Sequence, residues 1–244
     1  MRPPFIQCRG FTLIELLVAV SIMALMALLS WRGLDGMTRT QGQLAQRADE
    51  VLTLQAGVAQ WGTDLDALVQ MPQTPALDWD GRALRLTRRS APLPTFTPGL
   101  TTSAAGSQPS GESILVVAWS RRDIDGSGQW LRWQSPPLKT RGDVQTAWGV
   151  AAQWAQNPGD AEKQREVRIA ALSQWQIFFY RSGAWTNPLS SAGPLLTGIA
   201  GAPGGVDLST PDGVRLVLTL PPGQALSGTL TRDWVRPTVG GGKS

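Results

Sequence analysis

The sequence predicts an α+β fold in which a long, hydrophobic N-terminal helix packs on an antiparallel β-sheet domain. Three observations point there. Residues 11–29 are apolar apart from Thr12, Glu15 and Ser21. Residues 30–71 turn polar yet keep helical character up to Pro72. Beyond Pro72, short β-branched and aromatic runs alternate with Gly, Pro and Ser as far as Pro237.

The apolar run would be about 28 Å long as a helix, close to the thickness of a bilayer core. The stretch before it, residues 1–10, holds Arg2 and Arg9 and no acid. The positive-inside rule therefore leaves that end in the cytoplasm and sends the bulk of the chain across. A secretory signal peptide is the ordinary alternative, but "LLSWRGLDG" offers a poor small-residue cleavage site. A plain anchor leaves Glu15 unexplained. A carboxylate at the centre of a membrane helix costs about 2.5–3.5 kcal/mol on insertion scales, so it usually has a partner or a task.

Further along, Leu44, Ala48, Val51, Leu54, Val58, Trp61, Leu65 and Leu68 recur every three or four residues. That spacing marks one apolar stripe of a helix facing a sheet. An unbroken helix over residues 11–71 would run about 90 Å. Gly33, Gly36, Gly42, Gly57 and Gly62 weaken it, with bends expected near residues 33–42.

Strands are predicted at residues 113–120, 129–135, 173–185, 213–220 and 226–235. "RSG" at 181–183 and "PDG" at 211–213 read as turns, which favours antiparallel pairing. Residues 90–111 are rich in Pro, Thr, Ser and Gly and read as a mobile surface loop. The domain layout is then a leader at 1–10, a helix at 11–71 (membrane part 11–31, amphipathic part 32–71), a β-rich domain at 72–237 and a disordered tail at 238–244.

Composition removes several function classes. Lys plus Arg is 22 against 18 Asp plus Glu, scattered and without a basic face interleaved with aromatics, so nucleic acid is not an expected partner. The chain has no His, which excludes His-based triads and the commonest metal ligand. Its single Cys, Cys8, excludes an internal disulfide. Asp64 with Asp66, and Asp78 with Asp80, lie two apart with no evident base or nucleophile, so no active site and no cofactor are expected. "GGGKS" would need a Gly where Pro237 stands to be a phosphate loop. Asp123, Asp125, Ser127 and Gly128 match the early positions of a calcium loop. The twelfth is Gln134 rather than Glu, so a hairpin turn is expected and no metal. Trp119, Trp130 and Trp133 fall in the strands, where core packing is the default and exposed contact the alternative.

"GFTLIELLVAVSIMALMALL" closely resembles the N-terminal signature of type IV pilins and pseudopilins, with Gly10 last in the leader, Phe11 first in the mature chain and Glu15 fifth. The resemblance implies a pilin-like fold. It also implies that a prepilin peptidase cuts between Gly10 and Phe11 and methylates the new Phe11 amine. Glu15 would then neutralise the Phe11 amine of a neighbouring subunit during assembly. Removal of the leader takes Cys8, Arg2 and Arg9 with it and leaves 20 basic against 18 acidic residues. "WRGLDGM" (31–37), "QWGTDLDALV" (60–69) and the strand pattern from "VRIAALSQWQIFFYRSGAWTN" to "PDGVRLVLTLP" resemble the J-type minor pseudopilins of type II secretion systems. That resemblance implies a non-enzymatic protein of the inner membrane, single-pass, with its domain in the periplasm. The implied partners are the I-type and K-type minor pseudopilins, the major pseudopilin and the prepilin peptidase. The alternatives are a minor pilin of a type IV pilus or DNA-uptake apparatus, and a periplasmic binding or enzymatic domain on a signal anchor.

Overall fold

Helix α1 runs without interruption over Leu13–Asp66 in the computed structural model, which describes residues 11–71, 74–90, 113–190 and 210–237. All five glycines named above lie inside it, and none ends it. The leader at 1–10 with Gly10, most of the 90–111 loop and the 238–244 tail lie outside the described residues.

The chain divides into two compact units, Met1–Asp49 and Glu50–Ser244. In the first, the apolar side chains of α1 are exposed all round, Leu13 at 78% and Leu29 at 67% among them. This helix is long and apolar enough to cross a membrane.

In the second unit the end of α1 buries Leu54, Gly57, Trp61, Asp64 and Leu65, and half-buries Val51 and Val58. The stripe expected from residue 44 onward is therefore shorter. Leu44 is 60% exposed and Ala48 is exposed too, because both belong to the first unit and nothing in it packs on them. The helix also stops at Asp66 rather than Met71. Residues beyond it are claimed by a strand: Val69 N–H donates to Thr87, Arg89 N–H donates to Ala67, and Leu68 bridges Arg88.

Two antiparallel sheets complete this unit. The first has five strands in chain order: β1 (Leu77–Trp79), β2 (Ala83–Arg89), β3 (Ile114–Ile124), β4 (Ser127–Gln134) and β5 (Glu166–Ala171). The second runs β7 (Ala184–Thr186), β6 (Gln174–Arg181), β8 (Gly213–Leu220), β9 (Gly228–Val235). One core cluster joins Leu54, Trp61 and Leu65 of α1 to inward residues of both sheets, among them Leu86, Trp119, Trp130, Phe179 and Leu216. Trp119, Trp130 and Trp133 are all buried, which settles them as packing residues.

The β3–β4 hairpin turns on Asp125 and Gly126, with φ of 51° and 78°, the paired positive values of a type I′ turn. Ser182 and Gly183 repeat the geometry between β6 and β7, where "RSG" predicts it. "PDG" at 211–213 is not a hairpin; it leads directly into β8.

Strands were expected throughout the region after Pro72, and one stretch of it is helical. Helix α2 (Arg141–Gln156) covers the far face of the five-stranded sheet with Val144, Ala147, Trp148, Ala151, Trp154 and Ala155. Its N-terminus is a capping box: Asp143 N–H donates to Thr140 Oγ1 at 3.1 Å, and Thr140 N–H donates back to Asp143 at 3.0 Å. The Thr140 N–H, then the Thr140 hydroxyl and the Lys139 N–H, hold the Asp143 carboxyl below the usual carboxylate range. A short turn of helix, α3 (Asp160–Lys163), leads into β5. Strands β1, β2 and β5 also escaped the sequence reading. Asp80 fixes the β1–β2 turn by accepting from Arg82 and Ala83 N–H.

Gly57 shows how closely α1 lies on the sheet. A Cβ there would collide with Ile169 Cγ2 and sit 3.3 Å from Trp130 Cζ3. Ile169 is β-branched and stiff, so it does not swing aside cheaply. Gly57→Ala should lower the unfolding free energy by about 1–3 kcal/mol through overpacking. Gly62→Ala, where nothing lies within 4 Å, should raise it by about 0.5–1 kcal/mol through helix propensity. Urea titration of the two variants checks the pair, and equal shifts would contradict the close approach.

Candidate processing and assembly segment

The N-terminal turn of α1 is a reciprocal cap of the Thr-x-x-Glu kind. Thr12 N–H and Thr12 Oγ1 donate to Glu15 Oε2 at 3.1 and 2.8 Å, and Glu15 N–H donates to Thr12 Oγ1 at 3.4 Å. Glu15 therefore receives two donors from its own chain, at the helix end where the peptide dipoles favour an anion. The third polar residue of the run, Ser21, donates its hydroxyl to Leu17 C=O at 2.8 Å. Each polar side chain of the apolar segment is thus satisfied within the segment, as hydrocarbon requires. The part played by Thr12 was missed, although "TLIE" shows the capping pattern in plain view. Phe11 precedes the helix and is exposed; its neighbour Gly10 lies outside the described residues.

Residues 7–31 match the family described as the prokaryotic N-terminal methylation motif. The match supports a type IV pilin-like protein. It takes in Gly10, Phe11, the Thr12–Glu15 cap and the apolar part of α1 as far as Trp31. A search of curated proteins found no match to the chain.

The other acid pairs are not gathered into a reactive site among the described residues. Asp64, wholly buried, accepts from five donors: Gln60 Nε2, Arg88 Nη1, Arg132 Nε and Nη2, and Trp119 Nε1, at 2.5–2.9 Å. Asp66, two residues on, faces elsewhere and accepts from Trp234 Nε1 at 2.8 Å. Asp78 and Asp80 both meet Arg85, at 2.6 and 3.4 Å.

The calcium-loop lookalike is built as the hairpin the sequence favours. Asp123 lies in β3 opposite Gly128 and pairs with Arg121 at 2.7 Å. Asp125 occupies the two-residue turn, and Ser127 Oγ accepts from Gln129 at 3.2 Å. Among the described residues no group of three His, Cys, Asp or Glu is placed to hold a metal ion.

Asp64 ties the end of α1 to three strands, through the guanidiniums of Arg88 in β2 and Arg132 in β4 and the indole N–H of Trp119 in β3. Removing one member of a buried ion cluster leaves the others uncompensated, at about 3–5 kcal/mol. Asp64→Ala should therefore lose about that much stability. Asp66→Ala, which removes one acceptor for Trp234, should lose about 1 kcal/mol. Denaturant unfolding distinguishes the two, and an equal small loss would show that Asp64 is not the anchor.

Proposed function

We propose that this chain is a minor pseudopilin of a type II secretion system, a subunit of the pseudopilus tip that starts assembly and supports export of folded proteins. The observation that carries the reading is Glu15, a carboxylate inside an exposed apolar helix of membrane length, within the matched methylation motif. In this reading a prepilin peptidase cuts after Gly10, and residues 11–31 remain as the inner-membrane anchor. The domain from residue 72 faces the periplasm. The protein has no catalytic role of its own.

The new α-amino group of a neighbour's Phe11 supplies the cation that Glu15 lacks among the described residues of its own chain. While the subunit is alone in lipid, Thr12 satisfies the carboxylate. On assembly, a neighbour's Phe11 amine approaches it where screening is weak and attraction correspondingly strong. The I-type and K-type minor pseudopilins and the major pseudopilin are the proposed neighbours. Support for the J-type comes from "WRGLDGM" and "QWGTDLDALV". The methylation motif fits a minor pilin of a type IV pilus equally well. Deletion separates the two: loss of exported proteins with surface pili intact favours the secretion reading, and the reverse favours the pilus.

Processing should depend on Gly10, because a peptidase must reach the peptide bond closely and Gly has no side chain in the way. Gly10→Val should leave the precursor uncut and heavier by the mass of residues 1–10. Normal processing of that variant would sink the reading.

Glu15→Ala should insert at least as well as wild type, since it removes a charge from the membrane segment. It should also be cut normally. Crosslinking to neighbouring subunits in membranes and secretion of cargo should both fall several-fold. Wild-type levels of both would remove Glu15 from assembly.

A further inference from the structure

We propose that the edge of β9, unpaired among the described residues, receives an extended strand from a different chain, one that presents a carboxylate opposite Arg232. This rests on the reading above only for the identity of that chain as a fellow filament subunit; the edge itself is argued from the fold. Unpaired strand edges are templates for further pairing, and proteins ordinarily blunt them. Among the described residues the two sheets have four outer strands. β1 and β7 are three residues long. β5 joins its sheet through a register shift at Trp130/Leu131. β9 is neither short nor shifted, and its edge protection is limited to the charges of Arg232 and Asp233. It runs eight residues, pairs with β8 through eight consecutive partners without a shift, and contains no Lys or Pro.

The hydrogen-bonding sense of β9 follows from one bond beyond its end. Arg236 N–H donates to Asp212 C=O at 2.9 Å, in line with the Gly213–Val235 register. In an antiparallel pair such bonding residues alternate with non-bonding ones. Even-numbered residues of β9 therefore bond to β8, while Thr229, Thr231, Asp233 and Val235 turn their backbone N–H and C=O to the open side. All four of these residues are exposed.

Side chains narrow the occupant. Asp233 is held by Arg215, at 2.7 Å through both carboxylate oxygens, so it offers no free charge. Arg232 is exposed, on the same sheet side as Leu230 and Trp234; it acts through charge on Asp233, whose oxygens are already taken by Arg215, and makes no hydrogen bond among the described residues. If β9 paired with a second copy of itself with the core side kept in common, Arg232 would face Arg232, Leu230, Trp234 or another even-numbered residue. None of these is an acid. Arg232 thus disfavours self-pairing and favours a strand that brings a carboxylate to that position. The shared chemistry is β-augmentation: backbone hydrogen bonds supply the attraction, and one charge supplies the choice.

The test places a photo-crosslinking p-benzoylphenylalanine at one position of the full chain in its own membranes. The positions are Thr229 at the edge, Leu44 on α1 and exposed Gln145 on α2. Thr229 should give an adduct with a different chain that itself carries the methylation motif, and Gln145 should give little. Thr231→Pro removes only an outward N–H and is tolerated on an edge strand. It should cut the Thr229 adduct about tenfold with an unchanged melting temperature. Should that variant fail to fold, Arg232→Glu decides, with a several-fold loss expected. An adduct of the chain with itself, an adduct untouched by both variants, or equal labelling from Gln145 would overturn the proposal. Adducts at Leu44 but not at Thr229 would overturn the edge and leave the filament reading standing. Adducts at neither would overturn both.

Discussion

A carboxylate taken out of water must find its donors in the chain, a constraint that helix α1 meets at wholly buried Asp64 and would meet again at Glu15 in the membrane reading proposed above. Near its start Glu15 lies in an apolar run and takes two donors from Thr12, three residues away. Near its end Asp64 is wholly buried and takes donors from β2, β3 and β4 as well as from Gln60. The solutions differ in range. The first is local and can form in an isolated helix, as a segment entering a membrane needs. The second exists only when the sheet has folded around α1, so it couples the last turns of the helix to the rest of the domain. With two guanidiniums against one acid, the Asp64 cluster relies on all its members. It specifies one seating of helix on sheet rather than adding much net stability.

The same helix therefore carries two kinds of surface. Up to Asp49 its apolar residues are exposed among the described residues, and from Leu54 they form part of the core. One sequence pattern, apolar residues at helical spacing, underlies both. The difference lies in what opposes the helix: lipid or other subunits in the reading favoured here, and two antiparallel sheets in the second unit. Leu44 and Ala48 illustrate the point, since they continue the periodicity of Leu54 and Trp61 and yet are exposed.

Much of this was legible in the sequence where the signal is local. The apolar run, the Gly10-Phe11-Glu15 spacing, the last three long strands and the Ser182-Gly183 turn follow from composition and short motifs. Helix α2 did not emerge, because the region after Pro72 reads as strands separated by Gly, Pro and Ser, and Gly149 weakens the helical case. Thr140 and Asp143, the capping box that starts it, were the available signal. Asp64 could not be told from Asp66 by sequence. Its partners Arg88, Trp119 and Arg132 are 24, 55 and 68 residues away, and only the folded sheet collects them. The role of Thr12 is legible in "TLIE", where a capping Thr stands three residues before an acid.

If the first unit is a membrane and assembly element, its chemical end must differ from the encoded one. Intact-mass and N-terminal peptide analysis of the wild-type chain extracted from membranes reads this directly. The expected product begins at Phe11 with a methyl group on its α-amine and retains the whole apolar segment. A chain that keeps residues 1–10, or one that has lost the apolar segment with its leader, would contradict the assignment of Gly10, Phe11 and Glu15.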